Sequence, residues 1–138
     1  MSSPQKIRVA IVGCGNIADR YAERILTYPT CELVGFSDLD PARARAFAAK
    51  FGGRAYDSLA QMLADPSIAL VVNLTIHFAH CEVVKQCLLA GKHVHTEKPL
   101  ALRYADAKEL VDLAAARGLR LGSAPITYMG EAQQTAWK

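Results

Sequence analysis

A chain of 138 residues, 51% hydrophobic and 21% charged, has the size and composition of one globular domain that buries its own core, with no room for a second full domain. Its formal net charge of +3 comes from lysines and arginines scattered among acids, which argues against the basic face of a nucleic-acid binder. No apolar run reaches the roughly 18 residues of a membrane span, and the opening "MSSPQKIRV" lacks the apolar middle of a signal peptide, so the expected setting is the cytoplasm, with neither membrane nor nucleic acid as partner.

Strand-like and helix-like segments alternate along the chain. Residues 7–12, "IRVAIV", read as a strand, and 16–27 as a helix with Ile17, Tyr21, Ile25 and Leu26 at helical spacing. "CELVGFSD" at 31–38 is a second strand. Asp40 and Pro41 then supply an N-cap and a first-turn proline for a helix with Ala44, Phe47, Ala48 and Phe51 inward, stopped by Gly52 and Gly53. "RAY" at 54–56 is a short third strand and 58–64 a short helix. "IALVVNLT" at 68–75 is a nearly continuous apolar run, the pattern of a central parallel strand buried on both faces. A helix over 78–90 turns Ala79, Val83, Val84, Cys87 and Leu88 inward and ends at Gly91. A fifth strand at 92–97, a helix at 104–117 closed by Gly118, and a sixth strand at 119–124 complete the series.

Repeated βα units of this kind predict an α/β fold, a Rossmann-type doubly wound sheet of about six mainly parallel strands with flanking helices, because parallel neighbours need a crossover that a helix supplies. The four cysteines, Cys14, Cys31, Cys81 and Cys87, form no C-x-x-C pair, and three of them fall in apolar segments, so they read as reduced core thiols. The segment 125–138, "PITYMGEAQQTAWK", looks like the start of another helix with Glu131 in its first turn. The expected organisation is therefore a dinucleotide-binding domain over 1–124 and, over 125–138, the start of a connection to a substrate domain that is absent.

A nucleotide diphosphate requires backbone N–H groups pointing at it, close approach unobstructed by a Cβ, and the positive end of a helix dipole. In "GCGNIA", Gly13, Gly15 and Ala18 fit G-x-G-x-x-G/A: the first allows the turn, the second the approach and the third close helix–strand packing, while Cys14, Asn16 and Ile17 complete the cradle. Asp38 closes the second strand, where this fold places a carboxylate for the adenosine ribose hydroxyls. The same charge repels a 2′-phosphate, which favours NAD over NADP, although Arg43 and Arg45 lie close behind. The groups Asn73-Leu74-Thr75 and Glu97-Lys98-Pro99 each follow another predicted strand and would converge on the same crevice, with Asn73 and Thr75 equally readable as ordinary strand-end polar residues. Lys98 can donate to a substrate oxygen beside the nicotinamide and stabilise its developing negative charge, against the plain alternative of a solvated lysine. His77, His80, Cys81, Cys87, His93 and His95 crowd together without any recognised ligand spacing, so no metal is expected.

Taken together, "GCGNIA", "SDLDPARA", "VVNLT", "HCEVVKQCLLAGKHVHTEKPLA" and "LRLGSA" make the chain resemble, over nearly its whole length, the nucleotide-binding half of the glucose–fructose oxidoreductase/inositol dehydrogenase (Gfo/Idh/MocA) family. The resemblance implies an N-terminal Rossmann domain for NAD or NADP, with Lys98 of the E-K-P motif near nicotinamide and substrate, and His80 as a further cofactor contact. It also implies a C-terminal domain, outside these residues, supplying substrate contacts, a proton-transfer residue and much of a homo-oligomer interface. In "TIHFAH", Ile76 and His77 stand where many relatives carry prolines, so the loop after the fourth strand is expected to be shaped differently. The implied activity is hydride transfer between nicotinamide and a secondary alcohol of a sugar, polyol or related cyclic substrate, with the chain alone catalytically incomplete. The rival reading is a non-catalytic dinucleotide sensor or transcriptional regulator on the same scaffold, and a weaker third is a domain for another adenosine ligand such as S-adenosylmethionine.

Overall fold

The computed structural model describes residues 5–124 together with 135 and 136, so the expected helix start around Glu131 lies outside the described residues. The elements run β1 (Ile7–Val12), α1 (Ala18–Leu26), β2 (Cys31–Ser37), α2 (Pro41–Phe51), β3 (Arg54–Tyr56), α3 (Leu59–Leu63), β4 (Leu70–Asn73), α4 (His80–Leu89), β5 (His93–Thr96), α5 (Tyr104–Ala116) and β6 (Leu121–Ser123). The six strands form one sheet in the order β3-β2-β1-β4-β5-β6, and all of the pairings are parallel. Successive strands step outward in one direction from β1 and then in the other from β4. The β1–β4 boundary is therefore the topological switch point, where open α/β sheets bind ligands beyond the carboxyl ends of their strands.

Alternation along each strand builds a core on both faces. Val9 and Ile11 of β1 pack with Ala18, Ala22, Ile25, Phe36 and Ala44 under α1 and α2, whereas Ala10 and Val12 pack with Met62, Val71, Val84, Leu88 and Leu110 under α3, α4 and α5. Covering both faces with helices is what makes β1 and β4 apolar runs instead of alternating ones. Among the described residues, no helix is long and apolar enough to cross a membrane.

Two details differ from the sequence reading. The inner stripe of α1 is Ala18, Ala22 and Ile25, with Tyr21 half-buried beside it, whereas Ile17 and Leu26 are exposed. Small residues let the helix lie close on the sheet, so the inward face is set by the alanines and not by the bulkiest side chains. Cys14 and Cys87 are buried, but Cys31 and Cys81 are only half-buried; all four are free.

Candidate active site

The register of the sheet builds the site. Ser37, Val12 and Asn73 stand side by side across β2, β1 and β4, and Thr96 of β5 is level with Asn73. The next residue in each strand is therefore Asp38, Gly13, Leu74 and Glu97, one continuous row at the carboxyl edge.

Gly13 has φ +92°, and a Cβ there would fall 2.6 Å from the Leu74 carbonyl carbon and 2.6 Å from the Thr75 nitrogen, both backbone atoms. Its N–H donates to the Ser37 carbonyl at 2.9 Å, and the Leu74 N–H donates to the Val12 carbonyl at 2.8 Å, which ties the turn to β2 and β4. Gly15 has open space: among the described residues, its chain neighbours aside, no heavy atom lies within 4 Å of where its Cβ would be. The N-terminus of α1 follows at Ala18, with Ile17 at the cap and no side chain bonding to it, in contrast to α2 and α3, which Asp40 and Ser58 cap. A bare helix N-terminus beside an open glycine is what an anionic diphosphate needs, so these residues fit the dinucleotide the sequence implies. Asn16 and Ile17 belong to this turn and not to the helix. Ala18 is fully buried against the sheet, which explains why alanine serves in the third position.

Asp38 has two fixed contacts. Its Oδ2 accepts from the Cys14 N–H at 2.7 Å and its Oδ1 from the Asp40 N–H at 2.9 Å. The carboxylate is thus pinned beside the glycine turn with lone pairs to spare, since each oxygen accepts two bonds. Asp40 caps α2 through the Ala42 N–H at 3.0 Å, as its place before Pro41 predicts. Burial, with the Asp38 charge adding to it, pushes the Cys14 thiol up to about 12, so it stays protonated.

The loops after β4 and β5 are held by buried side chains. The Asn73 amide is fully buried: its nitrogen donates to Thr96 Oγ1 at 3.1 Å and to the His80 carbonyl at 3.5 Å, and its oxygen accepts from the Thr75 N–H at 3.2 Å and Thr75 Oγ1 at 2.7 Å. His80, 1% exposed, sets Nδ1 2.7 Å from the Pro99 carbonyl and Nε2 2.8 Å from the Thr75 carbonyl. Carbonyls only accept, so the ring donates to both at once when both nitrogens carry hydrogen, and to one in either neutral tautomer. Asn73 and His80, expected among the cofactor-binding residues, thus have their side-chain polar atoms engaged within the loops. In the loop between them, Ile76 and Phe78 are exposed and the His77 ring lies tilted against the Phe78 ring, centroids 4.1 Å apart.

Lys98 is exposed, joined to Pro99 by a cis peptide bond, and among the described residues its ammonium has neither ion pair nor hydrogen bond. Glu97 is engaged: its Oε1 accepts from the Tyr21 hydroxyl at 2.6 Å, its Oε2 from the Lys98 N–H at 3.1 Å, and its own N–H donates to the Asn73 carbonyl at 3.0 Å. Tyr21 and Thr96 are participants that sequence reasoning missed; the available signal was a polar-tipped aromatic among the inward-spaced positions of α1. Lys92, inside the same motif as Lys98, is buried and donates to the carbonyls of Asp65 at 2.7 Å and Ile68 at 2.9 Å, and burial lowers its pKa. No group of three or more metal-ligating side chains occurs among the described residues.

Comparison with known proteins agrees with this fold. Residues 7–124 match the Gfo/Idh/MocA oxidoreductase family, described as an NAD-binding Rossmann fold. The chain is 33% identical to glucose-6-phosphate 3-dehydrogenase of Bacillus subtilis over 113 residues, which are 82% of this chain and 32% of that protein. It superposes on GenD2 from gentamicin A biosynthesis, solved with NAD, at a TM-score of 0.84 and 32% identity over 87% of this chain and 34% of that one. KijD10, a 3-ketoreductase from Actinomadura kijaniata solved with NADP and TDP-benzene, gives 0.88 at 28% identity over 96% and 41%. The chain spans about a third of the length of the curated relatives it matches. It belongs to the Gfo/Idh/MocA oxidoreductase family and carries that family's NAD(P)-binding Rossmann fold.

Proposed function

We propose that the chain is the dinucleotide-binding part of an oxidoreductase that moves hydride between nicotinamide and a secondary alcohol of a sugar, polyol or related cyclic substrate. The observation that carries this reading is the in-register row of Asp38, Gly13, Leu74 and Glu97 with the unpaired ammonium of Lys98 next to it. The bound cofactor would supply or accept the hydride; the chain's residues hold it and manage charge. The diphosphate lies against Gly13, Cys14, Gly15, Asn16 and Ile17, and the adenosine ribose donates to the remaining lone pairs of Asp38. Leu74, Thr75 and Glu97 line the crevice toward Lys98, while Asn73 and His80 support those loops from behind.

Lys98 donates to the substrate oxygen and stabilises negative charge there as the alcohol is oxidised or the carbonyl reduced. An unpaired amine retained at this place favours the enzyme over a non-catalytic sensor. NAD is favoured over NADP because the Asp38 carboxylate is held in place beside the glycine turn, where its charge repels a 2′-phosphate. Residues 1–124 form this unit, and 125–138 begin the connection to a substrate domain in a longer homo-oligomeric protein. Free thiols and the lack of a disulfide framework support a cytoplasmic setting.

Fluorescence titration of the chain should show saturable binding of NADH, tighter than NADPH. In the complete protein, Lys98→Ala should retain that binding and lower kcat on a polyol or sugar substrate by about 100-fold or more. Absence of saturable dinucleotide binding, or full turnover by the alanine variant, would refute the proposal.

A further inference from the structure

A lysine that must present its ammonium to a substrate has, in this chain, a carboxylate as its immediate neighbour. Two such long side chains can reach each other, and their opposite charges attract. A Lys98–Glu97 ion pair would occupy the donor that the reaction needs. The structure shows no such pair. One Glu97 oxygen accepts from the Tyr21 hydroxyl at 2.6 Å, within the range of short, charge-assisted O–H···O⁻ bonds, and the other from the Lys98 N–H at 3.1 Å, so the two bonds fix where the carboxylate points.

Tyr21 comes from α1, the helix that starts at the glycine turn, so its reach to Glu97 spans 76 residues of sequence and fixes the carboxylate from the opposite wall. We propose that Tyr21 is a positioning residue for Lys98: its hydroxyl holds the Glu97 carboxylate away from the adjacent ammonium and so keeps that ammonium free for substrate. The surroundings are consistent with this role. Burial, together with the bond to Glu97, raises the Tyr21 phenol, which keeps it a donor across the physiological range. The His95 ring lies 6.1 Å from the Tyr21 ring, and burial lowers its pKa against the pull of the Glu97 charge. The proposal rests on the reading of Lys98 as the working amine, but its geometry concerns only which group Glu97 pairs with.

Competitive labelling of the chain with a trace of acetic anhydride, read by mass spectrometry as the Lys98 rate relative to Lys6, tests it without any turnover. Tyr21→Phe, which removes one oxygen and keeps the ring, should release Glu97 onto Lys98 and slow its labelling about two- to fivefold, the range of an exposed ion pair. In a Glu97→Gln background the same change should have no effect, because no charge remains to pair. Glu97→Gln alone should leave the Lys98 rate within twofold of the unsubstituted chain, a measurement that does not depend on the Tyr21 variant folding. A Tyr21→Phe chain with unchanged labelling, an equal slowing in the Glu97→Gln background, or a several-fold acceleration by Glu97→Gln alone would each overturn the proposal. Loss of activity in Lys98→Ala addresses the other question separately.

Discussion

Whereas the turn after β1 is shaped by atoms that are missing, the loops after β4 and β5 are held in place by polar side chains that are fully engaged. On the first flank, Gly13 and Gly15 carry no Cβ and Ile17 leaves the helix N-terminus without a side-chain cap, so that on the proposed reading backbone N–H groups meet the diphosphate. On the second, Asn73, Thr75, His80, Thr96, Glu97 and Tyr21 form hydrogen bonds to one another or to nearby carbonyls, while the Lys98 ammonium is unpaired among the described residues. The contrast matches the two tasks proposed for them. A diphosphate is met by many weak, fixed dipoles, which need space, whereas one amine must be set at one place, which needs a rigid mounting.

The comparison predicts that the flanks fail differently. Gly13→Ala should be the most damaging substitution. Its Cβ would meet the backbone of Leu74 and Thr75 at 2.6 Å, where no side chain can yield, and φ +92° adds left-handed strain. Overpacking and strain together should cost about 3 kcal/mol or more, read as a lower midpoint in urea unfolding, with dinucleotide binding lost as well. A stable, binding-competent Gly13→Ala chain would show that the turn after β1 is not as closely seated on β4 as the structure has it.

His80→Ala should come next, at about 2–4 kcal/mol, because it leaves the Pro99 and Thr75 carbonyls without their ring partner and opens a cavity in a fully buried place. Its signature should be loosening on one flank. Hydrogen exchange should rise in residues around 75 and 97–100 and stay unchanged at the Gly13 N–H, which bonds to Ser37 instead. Equal loosening at both flanks would mean that they are one cooperative unit and that the distinction drawn here is false.

The same contrast explains what the sequence made readable. The order of elements, the parallel sheet and the glycine flank were legible because they rest on periodicity and on residues whose meaning is a missing side chain. Asp40 before Pro41 was legible as a cap for the same local reason. The second flank was legible only as a set of strand ends. Nothing local distinguishes the buried His80 from the exposed His77 three residues earlier, or the buried Lys92 from the exposed Lys98 six residues later. Those assignments depend on which carbonyls the fold brings near, and the Tyr21–Glu97 bond joins residues that no spacing rule connects. Asp38 falls between the two cases: its place at the strand end was readable, but its grip on the Cys14 N–H was not.

Gly15→Ala sharpens the comparison most finely, because it separates the two uses of glycine within one turn. Among the described residues, its chain neighbours aside, no heavy atom lies within 4 Å of the new methyl group, and Gly15 carries no positive φ, so the fold accepts it without clash. Removing a glycine also narrows the unfolded ensemble, so stability should stay within about 1 kcal/mol of the parent or rise slightly. The methyl group would nevertheless occupy the space through which a diphosphate approaches the backbone, and NADH binding should weaken by about tenfold or more, roughly 1.4 kcal/mol. Unfolding and NADH titration on the same sample would therefore move apart for Gly15→Ala and together for Gly13→Ala. If Gly15→Ala bound NADH as tightly as the parent, the open space beside it would not be where the diphosphate lies, and the cradle would have to be sought nearer Thr75.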